Sequence, residues 1–288
     1  MKLFGHAYIC LVFAICVTSQ VFASVDNRVP LTPKEYSEKY SFMGALTSIA
    51  DPNSDIRGSG ALIGHRRVFV TAAHNLLVRK NGKMVLPANA LLATPDWSYI
   101  VIQFPICGDQ VFQAKSVEFA ASNIGRSKTV DWAIMTLDRA ACAQAQPAEA
   151  RELTAQTVPD LAQQSVQLLA NYGRDQVQPS VKFPNGSSNW FFSSKGQVDS
   201  GYAVGEDSYI LTSTGIFSIP GASGGPVLVK SQGRQVVIGI ILGTANDKSY
   251  TMPLVSNFAE RLESVIKIFS PQYQLSTIVA GSQLGQNP

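Results

Sequence analysis

Histidine, cysteine and charge are all scarce in this chain of 288 residues. It carries three histidines and four cysteines, and only 15% of its residues are charged, for a formal net charge of +3. So small a charge, with no basic patch, gives no electrostatic case for nucleic acid or an anionic membrane as a partner. So few histidines and cysteines, none at ligand spacing, speak against a metal centre, and no cofactor is implied. An apolar run able to cross a bilayer is also missing. Spanning takes about 20 residues, and the longest run, "AYICLVFAICV", falls well short.

That run reads instead as the heart of a secretory leader. Lys2 precedes it and the small-residue exit "VFAS" follows, which places a signal peptide over residues 1–23, cut after Ala23. The mature protein is expected to be secreted, to the periplasm or beyond the cell, with no membrane anchor and as a monomer. Cys10, Cys16 and His6 leave with the leader. Cys107 and Cys142 remain, and in an oxidising compartment they read as one disulfide, worth about 4 kcal/mol in the chain-entropy model. Two unpaired thiols are the alternative.

What is present is a large supply of apolar residues, 45% of the chain, enough for one large or two small domains. Residues 24–40 form an arm with a short helix, because Thr32 and Glu35 make a capping box with Pro33 at the first helical position. Next come short β-type runs divided by turns: "FMGALTSI", "SGALIG", "RVFVTAAH", "YIVIQFPI", "VFQAKSVEFA" and "DWAIMTL". They fit an antiparallel barrel or sandwich. The stretch from Ala141 to Gln164 breaks the pattern and reads as a linker with a turn or two of helix. A second series follows: "SVQLLANYG", "FFSSKGQVDS", "DSYILTSTGIF", "GPVLV" and "QVVIGIILGT". A closing helix is expected at about 255–269, with Asn257 and Glu260 as its cap, and residues 271–288 read as a polar tail.

The stretch "GASGGPVL" sets one hydroxyl, Ser223, among glycines and ahead of an apolar strand. A serine is weakly nucleophilic until a base takes its proton. In the mature chain only His65 and His74 could serve at neutral pH. His65, in "IGHRRV", reads as an exposed turn residue. His74 ends the run "VFVTAAH" and opens a short helical stretch, where two elements can hold an imidazole in one orientation. A buried carboxylate should fix its tautomer, and Asp131, directly ahead of the apolar "WAIMTL", is the candidate. Asp96, Asp109 and Asp138 stand in turn-like contexts. Gly221 and Ser223 could aim their backbone N–H groups at one point if the glycines at 221, 224 and 225 let the chain curl. A glycine-rich turn without chemistry is the plainer reading of that stretch taken alone.

Together, "TAAH", "DWAIM" and "GASGGP", in the order His, Asp, Ser, resemble the trypsin-like (chymotrypsin-fold) serine peptidases over about residues 41–270. The resemblance implies an all-β fold of two antiparallel six-stranded β-barrels packed side by side, the first over about 41–145 and the second over about 165–252, with a C-terminal α-helix. It implies that Ser223 attacks the scissile carbonyl of a protein or peptide, that His74 is general base and then acid, that Asp131 orients it, and that Gly221 and Ser223 form the oxyanion hole. The function expected is a secreted serine endopeptidase. A catalytically silent binding relative and an esterase using the same residues are the other classes.

The departures carry information too. Animal digestive members have an aspartate before the serine that pairs with a new N-terminal amine, and Ala222 stands there. The cysteines that would flank the histidine are replaced, with Ser59 and Asn75 nearby. The chain looks more like the bacterial glutamyl-endopeptidase-like branch. The substrate pocket is expected to involve Phe217, Ser218, Ile241 and Thr244, which suggest a small or apolar residue at the cleavage site. Trp190 and the "NGSSNW" loop could line the cleft.

Overall fold

Six short runs in the first half of the chain curl into a closed barrel. The structure is a computed structural model, described over residues 26–48, 57–80, 83–122, 130–171, 191–205 and 208–278. The segment read as a leader, the loop with Trp190 and the tail beyond 278 lie outside the described residues.

The arm supplies β1 (Val29–Pro30) and α1 (Pro33–Lys39). The capping box forms as expected: Glu35 N–H donates to Thr32 Oγ1 at 3.1 Å, and Thr32 N–H donates back to the Glu35 carboxylate at 3.1 Å. β2 (Met43–Ser48), β3 (Arg57–Leu62) and β4 (Val68–Thr71) lead into a 3-10 turn at Ala73–Leu76 and a small hairpin, β5 (Val78–Lys80) with β6 (Lys83–Val85). β7 (Ile100–Gln103), β8 (Val111–Ser122) and β9 (Val130–Leu137) complete the first barrel, closed in the order β2-β3-β4-β9-β8-β7. Phe69, Phe104 and Phe112 meet edge to face in its core, with centroids 5.9 and 5.5 Å apart. Cys107 and Cys142 are joined as a disulfide, Cα atoms 5.6 Å apart, which ties the turn after β7 to the segment leaving β9.

The linker is not loose. β10 (Arg151–Glu152), the single helical turn α2 (Thr157–Asp160) and parallel bridges at Ile63–Ala148, Ala150–Val237 and Leu153–Val255 stitch it to both halves. The second barrel follows from β11 (Ser165–Asn171), β12 (Phe191–Gly205), β13 (Ser208–Thr214), β14 (Pro226–Ser231), β15 (Arg234–Ala245) and β16 (Lys248–Pro253). Its order is β12-β11-β14-β15-β16-β13, and β13 returns to β12 to close it, while β1 adds to the outer side of β12. Two closed six-stranded antiparallel barrels therefore make up the fold. β16 is absent from the runs read in the sequence because its inward positions, Ser249 and Thr251, are polar.

α3 (Ser256–Lys267) closes the chain, followed by β17 (Ser276–Thr277). Its start corrects the sequence reading. Asn257 lies inside the helix, the N-cap is Val255, and no side chain caps it. Packing sets this boundary: Val255 is buried and bridged to Leu153, which fixes where the chain can begin to coil. Phe258 of α3 stacks on Trp132 of β9, centroids 5.0 Å apart, and so braces the strand that begins beside Asp131.

Candidate active site

β4 ends at Thr71, and the chain turns at once through Ala73–Leu76, whose Ala73, Asn75 and Leu76 are buried. His74 alone in that turn looks outward. Its side chain is 22% exposed, against 4% for Asp131. Asp131 opens the buried part of β9 and grips His74 twice: the backbone N–H of His74 donates to Oδ1 at 2.9 Å, and Nδ1 stands 2.6 Å from Oδ2. An ionised carboxylate accepts only, so in the neutral imidazole this contact places the proton on Nδ1 and makes Nε2 the acceptor.

The other candidates fall elsewhere. His65 is half-buried, not exposed as its turn suggested: its ring stacks on Phe269, centroids 5.0 Å apart, and its Nδ1 accepts from the Arg67 N–H at 3.2 Å. Burial, and then Arg66 and Arg67, hold that imidazole below the usual histidine value. Asp138 accepts from the Gln113 N–H and pairs with Arg139, and Asp96 caps a turn at Ser98, both as solvated carboxylates do.

Ser223 stands in the loop between β13 and β14. The curl expected there is present, with φ of +95° at Gly221 and +83° at Gly224, while Gly225 does not need the left-handed region. At Gly224 space matters as much as torsion, because a Cβ there would lie 2.1 Å from Thr71 Oγ1 and 2.3 Å from Ser59 O. Three amides of the loop are already used, two within it and one toward β15. Ala222 N–H donates to Ile219 O (2.9 Å), Gly224 N–H to Ile241 O (2.8 Å) and Gly225 N–H to Ala222 O (2.9 Å). The N–H groups of Gly221 and Ser223, on either side of Ala222, have no acceptor among the described residues.

Two side chains that the sequence marked only as replacements for cysteines hold this loop against the first barrel. Ser59 donates its N–H to Ser223 O at 2.8 Å and its hydroxyl to Gly221 O at 2.7 Å, while the same hydroxyl accepts from Asn171 N–H at 2.7 Å. Asn75, the neighbour of His74, donates Nδ2 to Ser223 O and to Thr71 Oγ1, both at 2.9 Å, and Thr71 Oγ1 donates to Ser59 O at 2.7 Å. Ser223 is thereby held to both sides of the strand-turn that carries His74. The Ser223 hydroxyl itself donates to Leu242 O at 3.1 Å, and among the described residues no hydrogen bond joins it to His74. Leu242 is the extra residue of a bulge in β15, between Ile241 paired to Thr251 and Gly243 paired to Tyr250.

The expected pocket residues divide. Phe217 and Ser218 are half-buried, ahead of the Ser223 loop. Ile241 is fully buried and packs in the interior of the second barrel. Thr244 is exposed at the end of β15, with its hydroxyl 3.2 Å from that of Ser249. No helix among the described residues is long and apolar enough to cross a membrane.

No curated protein matches the sequence. A solved structure described as Glu endopeptidase in complex with MPD superposes with a TM-score of 0.56 at 14% identity, over 84% of this chain and 97% of that one. That likeness is one of fold. The family model for the trypsin-like peptidase domain matches residues 58–240, a span running from the strand of Ser59 through His74, Asp131 and Ser223 into β15. With well over half its length so matched, the chain belongs to the trypsin-like peptidase domain family.

Proposed function

We propose that this protein is a secreted serine endopeptidase acting through Ser223, His74 and Asp131. The observation that carries the reading is the double contact of Asp131 with the backbone and ring of His74, which orients the imidazole so that Nε2 is the nitrogen left to take a proton. In the reaction Ser223 Oγ turns from Leu242 O toward Nε2, gives up its proton and attacks the substrate carbonyl carbon. The carbonyl oxygen becomes an oxyanion facing the Gly221 and Ser223 N–H groups. Each such donor is worth about 3 to 4 kcal/mol to the transition state. The imidazolium, stabilised by Asp131, then protonates the leaving amine, and an acyl ester remains on Ser223. Water, deprotonated by His74, releases the acid. A resting serine hydrogen bond that points away from the base is compatible with this, since catalytic contacts often tighten only with substrate bound.

A silent binding relative would also keep Ser223 on Leu242 O, so labelling decides. A fluorophosphonate probe is expected to label the wild type at Ser223 and to leave Ser223→Ala unlabelled, and the labelled protein should turn over peptides. Labelling that survives Ser223→Ala would remove Ser223 as nucleophile, and ester without peptide turnover would make the protein an esterase.

A further inference from the structure

The arm ahead of α1 reaches the loop that leads to Ser223. β1 adds to β12 with Val29 opposite Ser193, which brings the two residues before it to the end of β13. There Asn27 Nδ2 donates to Gly215 O at 2.6 Å and to Lys195 O at 2.7 Å. Its Oδ1 accepts from the Ser194 hydroxyl at 2.5 Å, and that hydroxyl, fully buried, accepts from the Phe217 N–H at 2.7 Å. One amide side chain thus fixes residue 215 directly and residue 217 through a relay. Arg28, hydrogen-bonded to Asp26 at 2.7 Å, lays its guanidinium over the Phe217 ring, 4.7 Å from the centroid. From the other side the Ser249 hydroxyl donates to Ile216 O at 3.0 Å. The segment 215–217, six to eight residues before the serine, is therefore held by Asn27 and Arg28 of the arm and by Ser249 of β16.

We infer that Asn27 is a positioning residue for the substrate pocket: it holds the wall at Gly215–Phe217 in place for the side chain next to the scissile bond. This rests on the endopeptidase reading, since it assigns that wall to the reaction proposed for Ser223. Residues 26–28 then belong to the working enzyme and are not a segment to be trimmed from it. The clamp acts on the pocket and not on the proton relay, so the two can be separated by experiment.

The full mature chain is compared with Asn27→Ala and with the near-isosteric Asn27→Asp, which keeps the acceptor for Ser194 and loses both donations to carbonyls. Three readouts are taken: peptide kinetics, a cleavage-site profile on a peptide library, and the labelling rate with diisopropyl fluorophosphate, a probe small enough not to need the pocket. Both variants are expected to raise KM about ten-fold with kcat little changed and to flatten the cleavage-site preference, while the labelling rate stays within about two-fold of wild type. Unchanged KM and profile in Asn27→Asp would overturn the assignment. So would a parallel loss of labelling and turnover, which would make Asn27 a folding or relay residue. A wild type that does not label at all would fail the hydrolase reading instead, and is thereby told apart.

Discussion

Gly224 shows how closely two halves of the chain approach at one residue. Its φ of +83° costs an ordinary residue about 1 to 2 kcal/mol, and the atoms a Cβ would strike, Thr71 Oγ1 and Ser59 O, are themselves fixed by hydrogen bonds to each other and to Asn75. Neither can move without loosening the turn that carries His74. Gly224→Ala should therefore cost at least about 2 kcal/mol in a urea melt and should abolish turnover even where the protein still folds. Unchanged melting and activity would mean that the approach is looser than the hydrogen bonds imply. At this scale the His74–Asp131 contact was legible in the sequence and the side chains that support the serine loop were not. With only two histidines beyond the segment read as a leader, His74 and the carboxylate beside it can be picked out by their neighbours. Ser59 and Asn75 cannot, because a serine in "SGAL" and an asparagine in "AHNL" become supports only when the second barrel arrives beside them.

Among the elements, the legible ones are those whose local pattern and tertiary role agree. The six strands of the first barrel can be read as apolar β-type runs divided by turns, and Thr32–Glu35 caps α1 with no help from the rest of the chain. β16 hides because it turns Ser249 and Thr251 inward, and α3 starts where a bridge to Leu153 puts it. The contact of β10 with β17 lies beside α3 and carries a charge conflict. Burial first, and then the Glu260 and Glu263 carboxylates of α3, push the Glu152 carboxyl above its usual range. A raised native value means that the folded state holds this proton more tightly than the unfolded chain does. The contribution favours folding below the ordinary glutamate range and is lost as pH rises through the raised value. Glu152→Gln can keep the side-chain hydrogen bond with Thr277 while removing the charge. It should raise stability by a few tenths of a kcal/mol at neutral pH, with the gain shrinking toward zero as the medium is acidified. A gain that persists in acid would show that charge is not its source.

For the whole molecule, the Cys107–Cys142 bond lies within the first barrel and spans 35 positions of sequence. A closed loop of that size restricts the unfolded chain by about 4 kcal/mol in the entropy model. Replacing both cysteines with alanine should lower the Tm by roughly 10 °C for a chain of this length. The wild type in reductant should fall by a similar amount, and equal melting of oxidised and reduced protein would count against the bond as a source of stability. The bond braces β7 and β9, well inside one barrel, and does not join the two. Among the bonds that join them near Ser223 are those of the Ser59 hydroxyl, which accepts from Asn171 in β11 and donates to Gly221 in the serine loop while its own strand belongs to the first barrel. Any hinge motion that parted the two halves would pull that oxygen out of a three-way junction. On the endopeptidase reading, a substrate entering by way of the seam would have to break that junction first, whereas one held by the surface loops would leave it whole.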